Sequence, residues 1–228
     1  LLERNEKLGK KIYITGKGRC NLTNVASGDE FMANIVRNPR FLYAALNGLD
    51  SAGVMALFEQ LGVRLKVERG GRVFPESDHA SDITRALDRE LHRLGGRVLL
   101  NARVSGLTVE DGRVRGVQME DGRRIPAGAV VVATGGQSYP TTGSTGDGWK
   151  FARETGHETR EALPALTSIE IEEAWPWALS GLSLKNVRLT VPGPRKKPLY
   201  SEQGELLMTH FGISGPLALS ASSYMPEQ

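Results

Sequence analysis

The chain predicts an α/β fold, and three observations carry that reading. Ala129-Val130-Val131-Val132-Ala133 is apolar throughout, as in a parallel-sheet strand buried on both faces. Residues 51–61 and 81–94 repeat apolar side chains at helical spacing. Glycine supplies 27 of 228 residues, about 12% against a usual ~7%. Five glycines fall in 135–148, directly after the apolar run, on the side where open α/β sheets bind ligands.

In chain order, Leu1-Leu2-Glu3 reads as the end of a strand. A lysine-rich connector leads to Lys11-Ile12-Tyr13-Ile14-Thr15, a short alternating segment, and then to the glycine-broken loop 16–21. Helices are expected over 39–47 and 51–61. In the second, Val54, Leu57, Phe58 and Leu61 share one face, and Gly62 stops it. Residues 63–68 read as a strand, followed by Gly70-Gly71 and Val73-Phe74-Pro75. The clearest helix ends at Leu94, with Ile83, Ala86, Leu87, Leu91 and Leu94 as its stripe and Gly95-Gly96 as its stop. After a strand at 97–100, segments 104–110, 113–120 and 123–126 are joined by Asp111-Gly112 and Asp121-Gly122, a strong hairpin signal. Beyond Gly156, prolines at 164, 176, 192, 194 and 198 divide the chain into short pieces, with strands at 182–191 and 205–209. A domain boundary is expected near 163–166, giving domains 1–164 and 165–228.

Composition narrows the function classes. With 39% hydrophobic and 24% charged residues, the chain is neither collagen, coiled coil nor disordered. One cysteine excludes a disulfide framework and a cysteine-cluster zinc site. His79, His92, His157 and His210 lie far apart, so no metal is expected. Net charge is only +3, too weak to argue for nucleic acid, and Arg195-Lys196-Lys197 reads as a solvated loop. The longest apolar run is far below the ~20 residues of a membrane span. A cytoplasmic protein with a small-molecule substrate, no nucleic-acid partner and no membrane partner is expected, its oligomeric state open.

Two glycine clusters can carry chemistry. Gly16 and Gly18 let backbone approach a ligand and offer an anion-binding nest. Arg19 adds a fork of donors for phosphate, and Asn21 a carboxamide for a heterocycle edge. The loop is not a Walker loop, and an ordinary turn is the competing reading. The second cluster runs from Ala133-Thr134-Gly135-Gly136 to Gly146-Asp147, where a helix is expected to start. A helix N-terminus reached through glycines suits a pyrophosphate, against the alternative of a long surface loop. Glu3 has the place of the acidic residue that accepts ribose hydroxyls in a Rossmann unit, or is a surface glutamate. Cys20 reads as a redox thiol or a packing residue, and His210 as an acid–base group or a turn histidine. Tyr139-Pro140 can set a ring beside a cofactor. No Gly-x-Ser-x-Gly elbow is present, and the catalytic residues stay unassigned.

Several motifs together resemble one bacterial family. They are Leu8-Gly9-Lys10-Lys11 with Gly16-Lys17-Gly18-Arg19-Cys20-Asn21-Leu22-Thr23-Asn24, Gly71-Arg72-Val73-Phe74-Pro75-Glu76-Ser77, and Ala133-Thr134-Gly135-Gly136-Gln137-Ser138-Tyr139-Pro140. Gly143-Ser144-Thr145-Gly146-Asp147-Gly148 and Thr209-His210-Phe211-Gly212-Ile213-Ser214-Gly215-Pro216 complete the set. They resemble the NAD(P)/FAD-dependent oxidoreductases also called HI0933-like flavoproteins or aminoacetone-oxidase-family enzymes. The resemblance covers essentially the whole chain. It implies a Rossmann-like FAD/NAD(P)-binding domain with an inserted β-rich domain, and an FAD-dependent oxidoreductase with NAD(P)H as transient reductant, passing electrons to an organic acceptor or oxygen. By analogy Glu3 would bind the adenosine ribose, while Lys11 and Gly16, Gly18, Arg19, Cys20 and Asn21 would follow the pyrophosphate and isoalloxazine. Val104 would meet the adenine through its backbone, and Ala133, Thr134, Gly135, Gly136, Gly146 and Asp147 would close the pocket. The family's opening strand with Gly-x-Gly-x-x-Gly and its returning C-terminal segment are not in these residues, so an internal fragment is expected. The alternative is a flavin-binding module without turnover, either an RNA-associated flavoprotein or a non-functional truncation.

Overall fold

The computed structural model describes residues 1–194 and 196–225, so Arg195 of the basic run lies outside the described residues. The chain divides into two compact units, Leu1–Arg160 and Glu161–Gln228. The first contains α1 (Lys10–Ile14), β1 (Thr23–Asn24), α2 (Gly28–Ala33), α3 (Tyr43–Gly48), α4 (Ser51–Gln60), β2 (Leu65–Glu68), β3 (Arg72–Pro75), α5 (Ala80–Arg93), β4 (Val104–Glu110), β5 (Arg113–Met119), β6 (Arg124–Pro126) and α6 (Asp147–Glu154). The second contains β7 (Ile169–Glu170), α7 (Trp175–Ala178), β8 (Ser183–Val191), β9 (Tyr200–Thr209), β10 (Gly212–Ser214) and α8 (Pro216–Ser222).

Local rules account for much of the first unit. Asp50 caps α4 by accepting from the Gly53 amide at 2.7 Å, and Gly62 follows the helix at φ +83°. The three-stranded meander β4-β5-β6 matches the expected segments. Asp111 (φ 51°) and Gly112 (φ 70°) are both left-handed, the twist a two-residue hairpin turn needs. Its inner face, with Ala102, Val117 and Met119, forms one small core against Leu2, Val104, Leu107, Ile125 and Val130.

A second core lies under α4 and α5, where Phe58, Val63, Ala80, Ile83, Ala86 and Cys20 are buried. The stripe on α5 is rotated from the expected one: Leu87 and Leu94 are exposed, while Ala80 and Thr84 are buried. Thr84 reaches the Tyr13 hydroxyl at 2.9 Å, so the packing partner α1 decides which edge of the helix turns inward. Segment 11–15 is also corrected. It is helical, because Gly9 (φ 74°) turns the chain and its carbonyl accepts from the amides of Ile12 and Tyr13. Five residues are too few for periodicity to separate helix from strand.

The largest correction concerns 129–133, which forms no strand among the described residues; Val131 is 90% exposed. Two-face burial depends on neighbouring strands, and no described segment pairs with this one. The parallel pairing that is present joins Leu2 to Leu99, with Glu3 N donating to Leu99 O at 2.9 Å. The expected strands at 1–3 and 97–100 are reduced to that bridge. Within segment Pro39–Gln60 an 18-residue stretch reaches a mean hydropathy of 1.3, enough in length and hydropathy for a membrane span. It is broken at Leu49, whose backbone is extended (φ −152°), and restarts at the Asp50 cap.

In the second unit, strands order β7-β10-β9-β8, all antiparallel. Alternate residues of β9 (Leu206, Met208) pack with Tyr200, Ile213 and the small inner face of α8, Ala218 and Ala221. Pro216 sits in the first turn of α8, where its missing amide costs nothing. Gly212 allows β10 to approach β7: a Cβ there would collide with the Ile169 carbonyl and stand 2.8 Å from the Ile171 nitrogen.

Candidate functional site

In the first unit a cavity of about 900 Å³ collects most of the predicted site residues. Glu3, Lys11, Val104, Ala133, Thr134, Gly135, Gly136 and Asp147 all line it. Its floor is apolar, from the meander core and Val130, and its other wall is polar, from Glu3, Arg4, Asn5, Lys11 and Thr134. Gly146 stands beside it as the N-cap of α6 (φ 78°), its amide donating to Gly136 O at 3.1 Å.

A short segment after the Leu2 bridge supplies the polar groups. Asn5 donates to Glu3 Oε1 from both its backbone and side-chain nitrogens, each at 2.8 Å. The same Asn5 Nδ2 donates to Thr142 O at 3.0 Å. Arg4 Nη1 donates to Thr145 Oγ1 at 2.7 Å and stands 3.6 Å from Asp147 Oδ2. Lys11 Nζ donates to Ser138 O and lies 5.4 Å from the Tyr139 ring centre. Reasoning on residue types missed Arg4, Asn5 and Thr142, since nothing local ties residues 4–5 to a loop near 140.

The other glycine cluster is placed differently. Gly16, Gly18, Arg19, Cys20 and Asn21 do not line the cavity. The turn is left-handed at Gly16 (φ 56°), Lys17 (φ 59°), Gly18 (φ 87°) and Cys20 (φ 64°). Arg19, expected to offer its fork to phosphate, instead donates to Glu68 Oε1 at 2.8 Å and Asp78 Oδ1 at 3.3 Å. Its guanidinium carbon lies 4.1 Å from the centre of the buried Phe74 ring. The amides of Arg19 and Cys20 are likewise taken, by Gly16 O and Thr15 O. Cys20 is buried, which pushes its thiol pKa up, with the Thr15 hydroxyl opposing; this is the environment of a packing residue. In the second unit His210 is exposed at the β9–β10 turn, its ring edge-on to Phe211 at 5.0 Å. Among the described residues no group of three or more His, Cys, Asp or Glu side chains is arranged to hold a metal.

The Arg19 cluster makes a pH prediction. Arg19 holds the Glu68 carboxyl below its ordinary value, and Lys66, at 2.6 Å, does the same for Asp78 with Arg19 adding to it. Depressed folded-state pKa values contribute stability above the unfolded carboxylate range, roughly pH 4, and lose it as pH falls through the depressed values. Urea midpoints should therefore fall on acidification below about pH 4. A Glu68→Gln, Asp78→Asn variant should show a shallower acid-side slope, and equal slopes would remove the cluster from the acid response. Added salt should shrink the difference, since both carboxylates are partly exposed.

Comparison with known proteins adds relatives. The chain is 33% identical to 3-dehydro-bile acid delta(4,6)-reductase of Clostridium scindens, across 94% of this chain and 51% of the relative. It is 30% identical to ribosomal RNA dihydrouridine synthases of Haemophilus influenzae and Escherichia coli, across 98% of this chain and 55% and 54% of theirs. The chain thus spans about half the length of the curated relatives it matches. A solved structure, the open conformation of a flavocytochrome c3 fumarate reductase, superposes with a TM-score of 0.50 at 22% identity, over 81% of this chain and 39% of that one. That likeness speaks to the fold. Residues 1–213 match the description "HI0933-like protein Rossmann domain", and the chain belongs to that family, with an α/β Rossmann-type fold.

Proposed function

We propose that this chain is the dinucleotide-holding part of an FAD-dependent oxidoreductase, and that the cavity of the first unit takes the FAD. The observation that carries the reading is convergence. An acidic residue beside the Leu2 bridge, a glycine run and a glycine-capped helix start line or border one cavity from distant parts of the sequence. The donor set fits the group. Glu3 can accept from ribose hydroxyls, Arg4 offsets phosphate charge, and Val104, Leu107 and Val130 offer an apolar floor to a flat ring. Bound FAD supplies hydride and electron transfer, while the chain's residues bind, orient and exclude water.

The names of the relatives support a substrate class. A 3-dehydro, delta(4,6) bile acid carries carbon–carbon double bonds conjugated to a ketone. Dihydrouridine is uridine with two more hydrogens across the carbon–carbon bond conjugated to its carbonyl. We take the acceptor to be an alkene conjugated to a carbonyl, with NAD(P)H as the transient reductant. The two ribosomal-RNA relatives weigh against the expectation of no nucleic-acid partner, so a uridine in RNA is the second form of the same acceptor.

The purified protein should be yellow and release FAD on denaturation, identified by mass spectrometry. A colourless protein that gains no thermal stability from added FAD would sink the flavin reading. The flavin-loaded protein should oxidise NADH or NADPH with a conjugated steroid ketone or a uridine-containing RNA. Oxidation of neither nucleotide with any acceptor, oxygen included, would remove the nicotinamide part and leave a binding module.

A further inference from the structure

Residues 136–146 leave the cavity wall and return to it as one compact loop. Its base is pinched by the Gly146 amide donating to Gly136 O at 3.1 Å. Glycines at left-handed angles flank its outer part, Gly135 (φ 72°) on one side and Gly143 (φ 102°) and Gly146 (φ 78°) on the other. Such positions can absorb a large backbone rotation without side-chain penalty. The outer part is internally braced. Thr142 donates to Tyr139 O from its amide (2.9 Å) and its hydroxyl (2.7 Å), and the Gly143 amide reaches Pro140 O at 2.9 Å. It can therefore move as one body.

Little apolar burial holds that body down, since residues 137–141 are all exposed. Its attachments are polar and come from one short segment: Arg4 to Thr145, Asn5 to Thr142 O, and Lys11 to Ser138 O and the Tyr139 ring. Tyr139 is 68% exposed and held at φ 51°, an uncommon angle for a bulky side chain. Segments with few buried contacts open locally well before the domain unfolds, and compact surface loops of this kind gate ligand sites.

We propose that loop 136–146 is a lid on the cavity and that Lys11 is its latch, a positioning residue that closes Ser138 and Tyr139 over a bound dinucleotide. The role of the lid toward FAD rests on the flavin reading above, whereas the latch itself is a property of the protein alone.

Two measurements test it. With FAD, binding and release are followed by flavin fluorescence after mixing and after dilution. A latch limits passage in both directions, so Lys11→Met should raise the uptake and release rates together by about tenfold, roughly 1.4 kcal/mol of lid closure. Tyr139→Leu should raise both to a smaller extent, and Lys11→Arg should keep both near wild type. A rise in release alone would make Lys11 an ordinary ligand contact and overturn the latch, as would unchanged rates. Without FAD, hydrogen exchange at the Gly146 amide, whose bond to Gly136 O closes the base of the loop, should be faster in Lys11→Met than in wild type, with the meander amides unchanged. Unchanged exchange in the loop overturns the latch. Faster exchange in a protein that binds no FAD would uphold the latch and refute the flavin reading.

Discussion

Phe74→Ala should cost about 3–5 kcal/mol of stability, a large part of the roughly 5–15 kcal/mol that holds a typical domain folded. The ring is 1% exposed, in the middle of β3 and between Val73 at 0% and a fully buried Pro75. Truncation would remove the transfer energy of a full aromatic side chain and leave a cavity. Its neighbours cannot easily fill that space. One is the turn at Gly16, where a Cβ would already stand 2.7 Å from the ring; another is the Arg19 guanidinium, 4.1 Å from its centre and tied to Glu68 and Asp78. Two effects should therefore appear together. Guanidinium midpoints should fall, and the turn at residues 16–20 should become more sensitive to trypsin, because its cover and its cation–π partner are gone. Phe74→Leu keeps most of the volume and should lose markedly less. A loss under about 1 kcal/mol for the alanine variant would mean that β3 is not the keystone of this sheet.

The second large effect concerns binding. Glu3→Gln is expected to weaken FAD binding about ten- to a hundredfold, on the proposal that the carboxylate accepts from ribose hydroxyls. A hydrogen bond to a charged group contributes about 1.5–3 kcal/mol, which corresponds to that range. The carboxylate is held in place for such a role. Glu3 N donates to Leu99 O and Glu3 O accepts from Ala102 N, so the backbone is fixed on both sides. Both Asn5 nitrogens bond Oε1, which orients the group toward the cavity it lines. Isothermal titration with FAD and with riboflavin separates the possibilities. The loss should appear with FAD and be absent with riboflavin, which lacks the adenosine ribose. An unchanged FAD affinity would take Glu3 out of the site.

How much of this was legible before folding depends on the range of the interaction. The meander follows from Asp111-Gly112 and Asp121-Gly122, because a two-residue turn selects its own backbone angles. The helix stops at Gly62 and Gly95, both at positive φ, are equally local. The run 129–133 misleads for the opposite reason: apolar character states that a strand wants cover, and only neighbouring strands can supply it. Residues 10–14 mislead because the angle at Gly9, rather than side-chain alternation, starts the helix.

For the site, residue chemistry picked out Glu3 and the glycines from 135 to 148, and the cavity joins Glu3 to Gly135, Gly136 and Gly143. It also picked out the loop 16–21, whose backbone is left-handed at Gly16, Lys17, Gly18 and Cys20. What Arg19 does with its charge depends on Glu68 and Asp78, 49 and 59 positions away, and Lys11 meets Ser138 across 127. Backbone conformation is set by atoms a few bonds apart, so turns, caps, helix stops and glycine hinges were determined by the sequence itself. Which charge meets which, and which loops share one cavity, is decided by packing among segments whose meeting no local pattern encodes. In this protein that division separates a recognisable pair of glycine loops from the finding that only one of them lines the cavity.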